Sequence, residues 1–368
     1  MSKPPPKLTV GLLFGGRSAE HDVSRASAAN VLRALDPAKY DVVLIGLAKD
    51  GSWLLCDAGN GAGTGAVALT IPEDGARLAL LPGGKGQLLQ PVQGAQAVPR
   101  IDVIFPVLHG PNGEDGTVQG ALELADVPYV GSSVMGSAAA MDKDIAKRLA
   151  RDAGLPIVPF VTLTAEAPLD YAAVARAVGN TDVFVKPANL GSSVGISRAR
   201  SAEEFAQSCA LAFRYDRKIL VERCIDRARE IECSVLEDDK GQIRASPPGE
   251  IVPADSHGFY SYDAKYTDAK GASLVIPADV TPEQKRRFQE LAIETFQVLG
   301  CGGLARVDFF LEGEEIFVNE VNTLPGFTSI SMYPKLWEAA GLSQSDLIDT
   351  LIAHALARYA RQQRSVER

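Results

Sequence analysis

Residues 303–331, GLARVDFFLEGEEIFVNEVNTLPGFTSIS, constrain this chain more than any other stretch. The pattern predicts two antiparallel strands, ARVDFFLE and IFVNEVN, joined by a tight turn at Gly313-Glu314-Glu315. Side chains two apart on a strand share a face. Arg306 and Asp308 therefore point the same way, and so do Glu320 and Asn322. A three-residue turn sets Glu312 opposite Ile316, and with it Asp308 opposite Glu320 and Arg306 opposite Asn322. Val307, Phe309, Leu311, Phe317 and Val321 then form the apolar face. A slip of one residue would send every polar group to the wrong side, so the register is a firm commitment.

Asp308, Glu320 and Asn322 offer oxygen ligands only. Such a set suits a hard cation, Mg²⁺ before Ca²⁺ or Mn²⁺. Two carboxylates and an amide cannot complete an octahedral Mg²⁺ shell, and phosphate oxygens would suit the remaining positions. Arg306 beside them would stabilise a further negative charge. Taken singly, each of these residues reads equally as part of a solvated hairpin face. Together, and followed by a turn at Gly326 and the hydroxyls of Thr328, Ser329 and Ser331, they read as a metal and anion site.

Composition limits the partners. With 37 Lys and Arg against 46 Asp and Glu in 368 residues, the net charge is −9, which argues against nucleic acid. An anionic nucleotide would need deliberately placed cations. The five Cys are scattered without CxxC spacing, which argues for reduced thiols in a cytoplasmic protein and against a zinc site. No apolar run approaches the ~20 residues of a membrane span, so no membrane association is expected. Length suggests two or three domains.

LTVGLLF at 8–14 suits a buried parallel strand, and Gly15-Gly16 turns the chain. Ser18 is a plausible N-cap for a helix over 19–35, and YDVVLIGLA at 40–48 is the next strand. The stretches 57–66 and 82–100 read as surface loops. A strand at 101–110 ends in His109. Glu20 also lies just past a strand end, where open α/β sheets bind ligands; it reads equally as a first-turn carboxylate complementing the helix dipole. His109 reads either as a structural hydrogen-bonding residue or as part of such a site. MDKDIAKRLARDAGLP predicts one helix with Lys143 and Lys147 on one face. GSSVG at 191–195 lacks GK[ST] and reads as a hairpin flap able to cover phosphates, with Lys186 as the complementary cation. The long polar loop at 254–272 reads as an active-site cover.

ARVDFFL followed by NEVNTLPGFTSIS resembles the metal-binding end of the ATP-grasp ligases, and closely that of the D-alanine–D-alanine ligase family. GGRSAEHDVS and HGPNGEDGTVQGALEL resemble the first domain of that family. FYSYDAKYT resembles its ω-loop, with Asp263 where glutamate is more usual. The resemblance runs in order over nearly all of 8–360. It implies an α/β chain, α+β in the ATP-binding half, with the ATP-grasp fold in three domains. These are an N-terminal α/β domain at 1–133, a central lid domain at 134–225, and a C-terminal domain at 226–368 that carries the ω-loop at 254–272.

The resemblance also implies roles. Glu20 would hold the ammonium of a first D-alanine, with His109 nearby. Lys143, Lys186 and Lys265 would contact the phosphates of ATP, and Ser192 would sit in the flap. Glu222 would take the adenine amine, with backbone groups of Arg223 and Ile225 beside it and Glu230 on the ribose. Phe259 would join the nucleotide site. Tyr266 would hydrogen-bond with Ser192 and Glu20. Arg306 and the Gly326 N–H would meet the oxyanion, and Ser331 the second carboxylate. Asp308, Glu320 and Asn322 would bind two Mg²⁺ ions, with Mn²⁺ able to substitute. The implied reaction joins two D-alanines through a D-alanyl phosphate, for peptidoglycan precursors, in a homodimer. The alternatives are a D-alanine–D-lactate ligase, another ATP-grasp carboxylate–amine ligase, and a nucleotide-binding regulator without chemistry.

Overall fold

β1 (Leu8–Gly15) is buried from Val10 onward, because it lies between two parallel neighbours, β2 (Tyr40–Leu47) and β6 (Val103–Val107). The computed structural model describes residues 6–57, 68–89, 98–166, 168–225, 227–253 and 272–363. β3 (Trp53–Cys56), β4 (Arg77–Leu80) and β5 (Leu88–Leu89) extend this first sheet in the order β5-β4-β3-β2-β1-β6. The short β5 falls inside a stretch expected to be loop. The helices of this region are α1 (His21–Ala34) and α2 (Thr117–Leu124).

The expected Ser18 cap is absent. Glu20 occupies the N-cap position of α1 without a side-chain bond to the helix. The Ser18 hydroxyl instead donates to His109 O at 2.8 Å, tying the ends of β1 and β6 together. Gly15 supplies the turn with φ +94°, and a Cβ there would come within 2.4 Å of Leu47 O.

The helix expected from Met141 is α4 (Lys143–Asp152), which starts two residues later, and a separate α3 (Val134–Met141) ends at Met141. Asp142 breaks the run. Its backbone is extended and its carboxylate accepts from the N–H groups of Asp144 and Ile145, as an N-cap does. The second sheet is antiparallel, ordered β7-β10-β8-β9: β7 (Phe160–Thr164), β8 (Val183–Pro187), β9 (Ser197–Ala199) and β10 (Lys218–Arg223). α5 (Tyr171–Val178) and α6 (Ala202–Ala212) cover one face over Val183, Val185, Ile219 and Val221. Strand alternation puts Phe184, Lys186, Leu220 and Glu222 on the other.

The third sheet comprises β11 (Arg229–Glu237), β12 (Ile243–Ala245), β13 (Gly249–Pro253), β14 (Ala272–Val275), β15 (Leu304–Glu312) and β16 (Glu315–Asn322). Its apolar face packs on α7 (Pro282–Val298), whose Phe288, Leu291 and Phe296 meet Ile231, Val307 and Phe309. α8 (Met332–Ala339) and α9 (Gln344–Gln362) close the chain. Leu347, Ile348 and Leu351 of α9 share a core with Val10, Leu12 and Phe105, so the last helix packs on the first sheet.

The hairpin register is right at the site and wrong at the turn. Glu312 pairs with Glu315 across a two-residue turn, not with Ile316. A β-bulge then inserts one extra residue, Asn319, between the Phe309–Val318 and Asp308–Glu320 pairs. Beyond it, Asp308 opposes Glu320 and Arg306 opposes Asn322, as expected. The bulge reverses alternation between the two halves of β16. Ile316 and Val318 are therefore buried on the apolar face, and Phe317, expected there, is only half-buried on the polar side.

Candidate functional site

The polar face of the third sheet collects its charges by pairing alone. Glu232 on β11 lies opposite Asp308 on β15, which lies opposite Glu320 on β16. Arg306 is the cation among them. Its Nε lies 2.7 Å from Asp308 Oδ1 and 2.9 Å from Glu232 Oε2, and its second nitrogen donates to Asp308 Oδ2 at 2.7 Å. Burial works against this charge, but Asp308 and Glu232 outweigh burial and hold the guanidinium protonated above its usual range. Asn322 Nδ2 donates to Asp308 Oδ2 at 2.9 Å. Asp308, Glu320 and Asn322 thus adjoin one another. Among the described residues no group of three His, Cys, Asp or Glu could hold a metal. The candidate set is two carboxylates and an amide, and its oxygen chemistry fits a hard divalent cation.

Lys143 joins this face to the flap. Its Nζ lies 3.2 Å from Glu320 Oε2 and donates to Leu190 O at 2.8 Å, just before GSSVG. Ser192 and Ser193 take φ +55° and +58° there. This left-handed backbone projects Ser192 Oγ to Glu20, to which it donates at 2.6 Å.

Glu20 does not stand alone. A Cβ on Gly110 would lie 2.9 Å from Glu20 Oε2, while the Gly110 N–H donates to Glu114 Oε1 at 2.8 Å. Two carboxylates therefore flank one glycine. Burial and then the nearness of Glu20 push the Glu114 carboxyl up to about 8. His109 uses both ring nitrogens within the protein. Nδ1 lies 2.9 Å from Leu324 O, and Nε2 3.2 Å from Ser27 Oγ. Ser27 also accepts the Phe327 N–H at 3.1 Å, so its hydroxyl proton can go to Nε2 and the ring is neutral. Burial, which lowers the His109 pKa against the pull of Glu20, agrees.

On the second sheet Glu222 is buried between two lysines, with Lys186 Nζ 2.6 Å and Lys147 Nζ 3.1 Å away. Burial opposes the charge on Glu222, yet the two ammonium groups hold its carboxyl below the usual range. Lys186 also reaches Asn319 Oδ1 of the bulge at 3.4 Å. Arg223 lies over the Phe317 ring at 5.4 Å and 3.3 Å from Glu312.

These groups line two cavities. The larger, 570 Å³, holds Glu20, His109, Glu114, Arg306, Asn322, Gly326 and Ser331. The smaller, 240 Å³, holds Lys186, Glu222, Arg223, Ile225, Glu230 and Asp308. Lys143, Ser192, Glu232 and Glu320 line both. Ser331 Oγ accepts the Thr328 N–H at 2.9 Å, and a Cβ on Gly326 would come within 2.8 Å of that oxygen. Phe259, Lys265 and Tyr266 lie outside the described residues, as does most of 254–272. Sequence reasoning missed Glu114, although it stands inside HGPNGEDG, and missed Glu232, whose position depends on a strand pairing across 76 residues (232 to 308). It noticed Lys147 without giving it a role.

The chain matches two family models, "D-ala D-ala ligase N-terminus" over residues 9–132 and "D-ala D-ala ligase C-terminus" over 149–353. It is 68% identical to D-alanine–D-alanine ligase B of Bradyrhizobium diazoefficiens, over 98% of this chain and 96% of that one. It is 49% identical to D-alanine–D-alanine ligase A of Escherichia coli K12, over 96% and 97% of the two chains. Among solved structures, the D-alanine–D-alanine ligase of Coxiella burnetii superposes with a TM-score of 0.84 at 36% identity, covering 97% of this chain and 96% of that one. The VanG D-Ala:D-Ser ligase of Enterococcus faecalis gives 0.80 at 33%, covering 95% and 100%. No helix among the described residues is long and apolar enough to cross a membrane. The chain has the ATP-grasp fold of these neighbours and belongs to the D-alanine–D-alanine ligase family.

Proposed function

We propose that this chain carries out the ATP-dependent joining of two D-alanines for peptidoglycan precursor synthesis, with amino acids in the larger cavity and nucleotide in the smaller. The observation that supports this division is the shared wall of Lys143, Ser192, Glu232 and Glu320, where the two cavities adjoin. A γ-phosphoryl group held by Lys143 and Lys186 would lie beside the carboxylate of a first D-alanine, whose ammonium Glu20 would hold. Transfer makes an acyl phosphate and ADP. The amine of the second D-alanine, once deprotonated, attacks that carbonyl and expels phosphate. Arg306 and the Gly326 N–H would face the oxyanion of the tetrahedral intermediate. Ser331 would hold the second carboxylate, with His109 packing beside the first.

In the nucleotide cavity Glu222 would accept the adenine amine, with Arg223 and Ile225 supplying backbone groups and Glu230 the ribose contact. Asp308, Glu320 and Asn322 would hold Mg²⁺, or Mn²⁺ in its place, as two ions. Bound there, the metal would neutralise phosphate charge. Phe259, Lys265 and Tyr266 keep the roles implied by sequence, as part of the same proposal. So do the division into 1–133, 134–225 and 226–368, the cytoplasmic location and the homodimer.

Phosphate release with D-alanine, D-serine, D-lactate and L-alanine as second substrates tests this reading. D-alanine should give the highest rate, since the relatives at 49% to 68% identity are named for it. Equal or faster turnover with D-serine or D-lactate would replace it with the corresponding ligase. Nucleotide binding without turnover of any of them would leave a regulator.

A further inference from the structure

We infer that Lys147 is the fixed counter-ion of Glu222, a positioning residue that sets the preference for a 6-amino purine and leaves Lys186 available to phosphate. This rests on the reading of Glu222 as the acceptor of the adenine amine.

The cluster has one carboxylate and two ammonium groups, all within 6% of full burial. One lysine would suffice to neutralise Glu222. The two lysines differ in where they sit. Lys186 lines the nucleotide cavity and also reaches Asn319 on the third sheet. Lys147 lines neither cavity. It comes from the second turn of α4, is only 2% exposed, and lies over the Phe160 ring at 6.0 Å. Among the described residues Glu222 is its one ion-pair partner. α4 is fixed in turn by the Asp142 cap and by Lys218, which bonds Asp142 at 2.7 Å.

The consequence follows from charge. If Lys186 turned toward an anionic phosphate and nothing else paired Glu222, a buried carboxylate would be left alone. Such a group takes up a proton. A protonated carboxyl both donates and accepts, whereas a carboxylate only accepts. Only the ionised form distinguishes the amine at position 6 of adenine, a donor, from the oxygen of hypoxanthine, an acceptor. Lys147 keeps Glu222 ionised whatever Lys186 does. The charged groups around Glu222 are Lys147 from α4 and Lys186 from β8; burial, and then repulsion by Lys186, lower the Lys147 pKa against the pull of Glu222 and, from farther off, of Glu320 of β16.

The test is calorimetric binding of ADP and IDP to the full chain with Mg²⁺ and no D-alanine, from pH 6 to 9. Lys147→Met should shrink the ADP-over-IDP preference by about 10-fold or more near neutrality. The preference should return as pH rises and Glu222 ionises without its partner. In the unaltered chain the preference should be flat with pH. Lys147→Gln carries the same expectation if the Met variant does not fold. An unchanged, pH-independent preference in a folded Lys147 variant overturns the inference. Glu222→Gln separates the two readings. If it leaves the preference intact, Glu222 does not read the amine at all. If it abolishes the preference while Lys147→Met does not, the amine reading stands and the role of Lys147 falls.

Discussion

The two charge clusters of this chain, one partly buried and one fully buried, have opposite composition. On the third sheet one cation, Arg306, sits among Asp308, Glu232 and the nearby Glu320. On the second, one carboxylate, Glu222, sits between Lys147 and Lys186. One cluster carries surplus negative charge and the other surplus positive charge. Buried surplus charge is costly, and it persists where something else completes it. An acid-rich face calls for a cation, and a lysine-rich face for an anion. Lys143 on Glu320 and Lys186 on Asn319 link the two faces. On the proposed reading a metal–triphosphate would supply both charges, the cation to one face and the anion to the other.

The largest effect should come from the acid-rich side. Asp308→Asn should cut turnover by ~10³-fold or more if, as proposed, Asp308 ligates the metal that acts on the transferred phosphoryl group. Lys186→Met should weaken nucleotide binding by ~10²-fold if, as proposed, Lys186 is one of several cations on the phosphates. Both should stay folded, because Arg306 keeps Glu232 and Glu222 keeps Lys147. Steady-state rates, nucleotide titration and melting curves together check this. Full turnover in Asp308→Asn would remove the metal from that face. A stability collapse in Lys186→Met would make the lysine pair structural instead.

A smaller effect separates Glu114 from both clusters, because no ammonium or guanidinium group is paired with it among the described contacts. Its carboxyl is raised from 4.5 to about 8, so the folded state holds its proton more tightly than the unfolded chain does. For a raised acid, the folded state binds more protons than the unfolded state across that interval, and stability falls as pH rises through it. Glu114→Gln, which mimics the protonated form, should remove this fall and stabilise the chain at pH 8 by about 2 kcal/mol. That is less than the full linkage value because Glu114 lines a cavity and is only partly buried, so solvent would screen part of the charge. Parallel pH–stability curves for the variant and the unaltered chain would show that Glu114 does not titrate in this range.

What the sequence revealed was local. Alternation put Arg306, Asp308, Glu320 and Asn322 on one face, and β1 was legible as an apolar run. Burial of Lys147 and the position of Glu232 depend on which strand or helix lies alongside, and spacing within one element carries no trace of that. Asp142 looked like part of a helix because propensity continues through it; only its cap bonds end the run. The hairpin reached its functional register by two errors that cancelled. The expected turn was one residue too long, and the expected strand lacked one bulge.

That cancellation leads to the smallest predicted effect. If the bulge at Asn319 holds the register, the turn is free to change. Gly313 takes φ +61°, and a Cβ there would meet nothing within 4 Å. Gly313→Ala therefore adds backbone strain and no clash, about 1 kcal/mol. Asp308 and Glu320 lie beyond the bulge, where their pairing rests on β11 on one side and on Lys143 on the other. The variant should melt a few degrees lower and turn over within about 2-fold of the unaltered chain, since local strain of this size leaves distant pairings alone. If instead turnover dropped by orders of magnitude while the fold persisted, the turn would be what aligns the two carboxylates. The acid-rich face would then depend on its hairpin end, whereas the lysine cluster, built from α4, β8 and β10, has no such single point of control.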